Sequence, residues 1–133
     1  IFLVRKKAVH FSSLAVTMLV GCLALSISFP SVNKYKSARP LCETYRAQTD
    51  REDRLVYYGA GTPDSYAYYA RRDTAEIHKE KELVEFIILP GRVFMFTRQD
   101  AYKRLSPSAR EQWDLIDERQ VGSNFMLLLR SKE

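Results

Sequence analysis

The chain has 133 residues, of which 46% are hydrophobic and 28% charged, with five glycines, five prolines and a net charge of +5. Those figures exclude collagen-like, low-complexity and disordered classes, and two cysteines exclude a disulfide framework. The charge is also unevenly placed. Residues 1–30 hold no acid and only three bases (Arg5, Lys6, Lys7), so all 16 acids face 18 bases in the remainder, a near-neutral balance that excludes a nucleic-acid-type basic domain.

The first four residues, Ile1 to Val4, followed by Arg5-Lys6-Lys7, read as the end of a preceding apolar span and a short basic loop (1–7). Phe11 to Phe29 then runs without a charge. As a helix it extends about 28 Å, which matches a bilayer's hydrocarbon core. Ser12, Ser13, Thr17, Ser26 and Ser28 are tolerable there, because their hydroxyls can bond back to the helix carbonyls. Residues 8–30 are therefore expected to form a transmembrane helix that stops at Pro30. Two other readings compete. One is a cleaved signal peptide, with Leu19-Val20-Gly21-Cys22 resembling a lipoprotein processing box. The other is a buried soluble helix. Three basic residues on each flank leave the orientation undecided by charge.

Residues 31–133 are expected to form a small α/β domain with a mixed sheet. Ser37 is a candidate N-cap, with Pro40 in the first turn and Leu41, Tyr45 and Ala47 on one helical side. Leu55 to Tyr58 reads as a strand stopped by Gly59-Ala60-Gly61. Thr62 to Ser65 opens a turn into a short tyrosine-rich stretch ending at Ala70, and Thr74 to His78 suggests a strand. Leu83, Phe86 and Ile87 place a helix over 79–89, stopped by Pro90-Gly91. Arg92 to Thr97 is the strongest strand signal. Gln99 to Gln112 reads as a polar helix split by Pro107. Strands are expected over 113–119 and 124–130. The apolar runs Val93–Phe96 and Phe125–Leu129 suit central, doubly covered positions.

No catalytic constellation emerges. Gly59-Ala60-Gly61 lacks the third glycine of a dinucleotide loop, and Pro63 follows at once, so it reads as a turn. His78 lies among Lys79, Glu80 and Lys81 and reads as a solvated residue. Neither it nor His10 has a partner at metal-ligand spacing. Asp114 and Asp117, three apart on a strand, are expected on opposite faces. No catalytic, cofactor or metal residue is assigned. Two stretches suit contact with phosphate or sugar. Lys34, Lys36 and Arg39, around Tyr35, lie beside the expected membrane boundary, where basic side chains attract lipid phosphates. Tyr68, Tyr69, Arg71 and Arg72 combine aromatic faces with paired guanidiniums.

A single span followed by a small α/β domain resembles the C-terminal part of bacterial family-39-type membrane glycosyltransferases, the aminoarabinose-transferase-like and protein-mannosyltransferase-like group. The resemblance is carried by Tyr35 to Leu41, by Leu55 to Tyr58 and by Ser65 to Arg72. That last run is similar to the family's S-x-x-F/Y-Y-x-x-R stretch at Ser65, Tyr68, Tyr69 and Arg72. Glu82–Leu89 and Pro90 to Met95 also fit. The resemblance implies a multi-pass enzyme of the bacterial inner membrane that moves a sugar from a polyprenyl-phosphate carrier to a lipid or protein acceptor. This part would be a non-catalytic periplasmic cap, since no segment here corresponds to the family's catalytic loop. The alternative is a membrane-anchored periplasmic binding or assembly module, or a lipoprotein, without enzymatic activity.

Overall fold

The computed structural model describes residues 13–29, 37–61 and 63–132. The chain divides into two units, 1–35 and 36–133. In the first, residues 13–29 form a helix, α1, whose side chains are all exposed, Leu14, Met18, Leu23, Ile27 and Phe29 among them. Its hydroxyls bond back to the turn before them, Thr17 to Ser13 O at 2.9 Å, Ser26 to Cys22 O at 2.8 Å and Ser28 to Ala24 O at 2.8 Å. Among the described residues no helix is long and apolar enough to cross a membrane. The described part of α1 spans about 25 Å, short of the roughly 30 Å hydrocarbon core. The expected transmembrane helix over 8–30 is thus not shown, and 1–12 and 30–36 lie outside the described residues.

The second unit is a mixed α/β domain. In chain order it comprises α2 (Arg39–Gln48), β1 (Arg54–Tyr58), α3 (Pro63–Ala70), β2 (Ala75–Ile77), α4 (Glu80–Ile88), β3 (Val93–Arg98), α5 (Gln99–Arg104), α6 (Pro107–Arg110), β4 (Trp113–Val121) and β5 (Asn124–Ser131). The sheet order is β2-β1-β3-β5-β4. β1 runs parallel to β2 and β3, and β5 runs antiparallel to β3 and β4.

Strand alternation divides the core in two. Leu55, Tyr57, Phe94, Phe96, Met126 and Leu128 face α2 and α3. Val56, Val93, Met95, Leu127 and Leu129 face the layer of α4, α5 and α6. β3, central and covered on both sides, has its first five residues buried, as an unbroken apolar run requires. β5 buries Met126 to Leu129 in the same way, whereas Phe125 is 49% exposed. On the first face Tyr45 stands edge-on to Phe94 with ring centroids 5.2 Å apart, and Tyr66 lies 5.0 Å from Phe96. Each such fully buried side chain contributes about 1.5–3 kcal/mol of apolar transfer.

Several local expectations change. Ser37 is not the N-cap of α2, which is Ala38; the Ser37 hydroxyl accepts the Arg39 N–H instead. The buried side of α2 is Leu41, Cys42 and Tyr45, while Ala47 is exposed. Ala47 lies two residues beyond Tyr45, hence about 200° around the helix. A register shift between Leu115 and Asp117 sets Asp114 opposite Arg130 and Asp117 opposite Leu128. Ile116 is the extra residue, so both aspartates share one face instead of alternating. Asp117 accepts the Thr44 hydroxyl at 2.9 Å, which ties α2 to β4. On the other face, the Ser106 hydroxyl donates to Glu80 Oε1 at 2.5 Å and the Ser106 N–H to Oε2 at 3.1 Å. Those two bonds hold the Glu80 carboxyl below its ordinary pKa and fasten α4 to the start of α6.

Candidate functional site

α2 buries one side and turns Arg39, Glu43 and Arg46 to solvent, at the i, i+4, i+7 spacing that lines up a single helical stripe. α3 is a helix where the sequence suggested only a tyrosine-rich stretch. Pro63 fits its first position, and Tyr66 and Ala70, one turn apart, are its buried residues. Tyr68 is left 76% exposed, and Tyr69, half-buried, packs against the core beneath α2 and α3. Their rings meet edge-on at 5.2 Å.

The helix ends at Arg71, whose φ is 55°, the only left-handed non-glycine among the described residues. The Arg72 N–H reaches back to Ala67 O at 3.3 Å, completing the closing turn that normally uses glycine at the left-handed position.

Arg39, Glu43, Arg46, Tyr68, Tyr69 and Arg71 line a groove of about 380 Å³ between the two helices. Three guanidiniums thus face one carboxylate. Arg39 is paired with Glu43 at 2.8 Å. Among the described residues Arg46 and Arg71 have neither an ion-pair nor a hydrogen-bond partner. The groove therefore carries a surplus of two positive charges beside aromatic faces. It suits a phosphate with an adjoining ring to stack, since guanidinium forks match phosphate oxygens and tyrosine covers sugar faces.

Of the residues singled out in the sequence, the structure brings Arg39, Tyr68, Tyr69 and Arg71 together here. Arg72 is elsewhere. Its guanidinium donates to Asp53 O at 2.5 Å, Asp50 O at 2.9 Å and Arg51 O at 3.1 Å, with the Tyr45 and Thr49 hydroxyls each at 3.4 Å. It fastens the loop between α2 and β1 and has no fork left for a ligand. Lys34 and Lys36 lie outside the described residues. Glu43 and Arg46 were not singled out, although their spacing from Arg39 along a polar helical stripe is a legible signal.

Among the described residues that line the groove none is a serine, threonine, cysteine or lysine. Cys42 lies beneath it, fully buried, and burial, with a smaller push from Glu43, raises its thiol to about 12, so it stays protonated at neutral pH. Among the described residues no three His, Cys, Asp or Glu side chains are grouped to hold a metal ion. His78 is exposed, as expected of a surface residue, and its Nδ1 lies 3.1 Å from Gly59 O and its Nε2 3.4 Å from Glu76. No protein-family model, curated protein or solved structure matches the chain.

Proposed function

We propose that this chain is a membrane-anchored module of the bacterial inner membrane, the non-catalytic periplasmic cap of a family-39-type glycosyltransferase. In this reading the 36–133 domain holds the phosphate end of a polyprenyl-phosphate-linked sugar, and the full-length enzyme passes the sugar to a lipid or protein acceptor. The observation that carries it is the groove, where Arg46 and Arg71, without a side-chain partner among the described residues, lie with Tyr68 and Tyr69 in one hollow. α1 supports the anchor. It carries no charge and is mostly apolar, which suits lipid better than water, and the Thr17, Ser26 and Ser28 hydroxyls bond its own carbonyls.

The test is made on the full gene product in nanodiscs. Arg46→Ala and Arg71→Ala each remove one charge-assisted contact, and together they should weaken polyprenyl-phosphate binding by about 10- to 100-fold. KM for the lipid-linked donor should rise in step while kcat changes little, because no group in the groove acts on the reacting bond. Binding and KM that stay at wild-type values in the double variant sink the groove. Wild-type binding of the carrier without any sugar transfer sinks the enzymatic part and leaves an anchored binding module.

A further inference from the structure

Arg46 stands in the last turn of α2, and Arg71 lies one residue past the end of α3. The two guanidiniums without a side-chain partner among the described residues therefore reach the groove from different helices. Arg39 lines it too, but Glu43, one turn along the same stripe, pairs with it at 2.8 Å. Arg72 is committed to the carbonyls of the loop after α2. The field in the groove is that of two cations, one from each wall.

Both cations lie at helix ends, where outward carbonyls carry partial negative charge and work against an anion. Arg72 counters that charge. Its guanidinium lies against the end of α2, 2.9 Å from Asp50 O and 3.4 Å from Thr49 Oγ1, and its N–H closes on Ala67 O in the last turn of α3. One residue thus covers both helix ends and leaves Arg46 and Arg71 to the groove. Arg71 holds its place with a φ of 55°, where glycine is usual.

Two uncommitted guanidiniums fit some phosphates better than others. A phosphodiester has a single negative charge and two free oxygens. A phosphomonoester carries about −1.5 to −2 at pH 7 and has three free oxygens. Each guanidinium fork takes oxygens in pairs. Two forks can share three oxygens, whereas a diester fills one fork and leaves the other facing ester oxygens. Charge and oxygen count therefore favour the same partner. At about 380 Å³ the groove lies near the small end of ligand pockets, which run about 300–1,000 Å³, so it holds a headgroup and not a long hydrocarbon.

A sugar-loaded carrier is the diester, and the carrier released after transfer is the monoester. When the sugar leaves, the electron pair of its bond stays on the phosphate oxygen. The acceptor oxygen bonds the sugar carbon, and the acceptor's proton passes to solvent. The phosphate thereby gains a charge and a free oxygen. We propose that the groove is a phosphomonoester site, which holds the released carrier about 10-fold more tightly than the sugar-loaded donor, so that product competes with donor for entry. The inference rests on the groove being the phosphate site proposed above, and narrows that reading to one charge state.

The test titrates the full chain, in micelles of a phosphate-free detergent, with phenyl phosphate and with methyl phenyl phosphate. The probes share a ring to stack on Tyr68 and differ by one ester. At about pH 7 the monoester should bind about 10-fold more tightly. Arg46→Ala should bring the ratio close to one. Arg46→Lys, which keeps the charge but not the fork, should restore part of it. Glu43→Gln frees Arg39 and should widen the ratio. Arg46 and Glu43 are exposed, so these variants should keep the wild-type melting temperature. Equal affinity for the two probes overturns the inference and leaves the phosphate groove standing. Binding of neither probe sinks both. A monoester preference that persists in Arg46→Ala overturns its assignment to the groove.

Discussion

The groove between α2 and α3 and the loop at 49–53 are neighbours in the fold, and they treat their charges in opposite ways. In the loop Asp50 and Asp53 are both engaged, as are the two arginines that close on it. Arg72 is bound to three backbone carbonyls and two hydroxyls, and Arg92 reaches Asp50 at 2.6 Å and Asp53 at 3.1 Å. In the groove Arg46 and Arg71 lack partners among the described residues. Arg71 and Arg72 stand side by side in the chain, so composition cannot separate them. The turn that closes α3 does, by sending one guanidinium inward to carbonyls and the other out to the groove. Charges consumed in folding hold the framework, and charges left over are what a ligand can use.

The most forceful way to break this comparison is Arg72→Ala. It strands the 50, 51 and 53 carbonyls at once, and hydrogen bonds to a charged group are each worth about 1.5–3 kcal/mol. We expect a loss of about 3 kcal/mol in urea unfolding, with phosphate affinity falling only as far as the fold does. A loss under about 1 kcal/mol would move Arg72 into the same class as Arg71.

Asp53 comes next, its side chain only 5% exposed. Burial alone would raise its carboxyl, but the Asp50 N–H at 2.6 Å, together with Arg92 and the Thr49 hydroxyl, holds it below the ordinary carboxylate value. A carboxyl with a depressed folded pKa stabilises fully above its unfolded pKa of about 4 and loses that contribution as the pH falls through the folded value. Asp53→Asn should cost about 2 kcal/mol at neutral pH. It should also flatten the decline of wild-type stability below about pH 4. Parallel acid limbs in the two proteins would show that Asp53 does not set the acid response.

The smallest effect sharpens the comparison most. At Arg71 the left-handed backbone costs an L-residue about 1 kcal/mol that glycine avoids. Arg71→Gly should therefore raise stability by about 0.5–1 kcal/mol while weakening phosphate binding. A variant that is both less stable and an equal binder would contradict the division drawn here.

Much of this architecture was legible. The unbroken apolar runs at 93–96 and 125–129 announced the inner strands, because such runs need cover on both faces. Pro107 announced the split between α5 and α6, because its ring excludes it from a helix interior. α3 was hidden: three tyrosines lean toward strand, and only the spacing of Tyr66 and Ala70 over a core supplied by other elements makes the segment helical. The bulge at Ile116 was equally hidden, since it depends on what β5 sets opposite β4. The groove was half visible. Its tyrosines and Arg71 stood out as a local run, whereas Glu43 and Arg46 join it only through the packing of α2 beside α3. The commitment of Arg72 could not be read at all, because its acceptors are carbonyls, which any sequence supplies.

The interruption at Ile116 also bears on how copies of this chain meet at high local density. β4 is an outer strand with a free row of amide and carbonyl groups, the kind of border that recruits a second sheet. The extra residue throws that row out of step midway, and Asp114, Asp117, Glu118 and Arg119 crowd it with charge. A second copy aligned on either half of the border is misaligned on the other, so lateral fibre growth from this side is blocked by geometry before any repulsion acts.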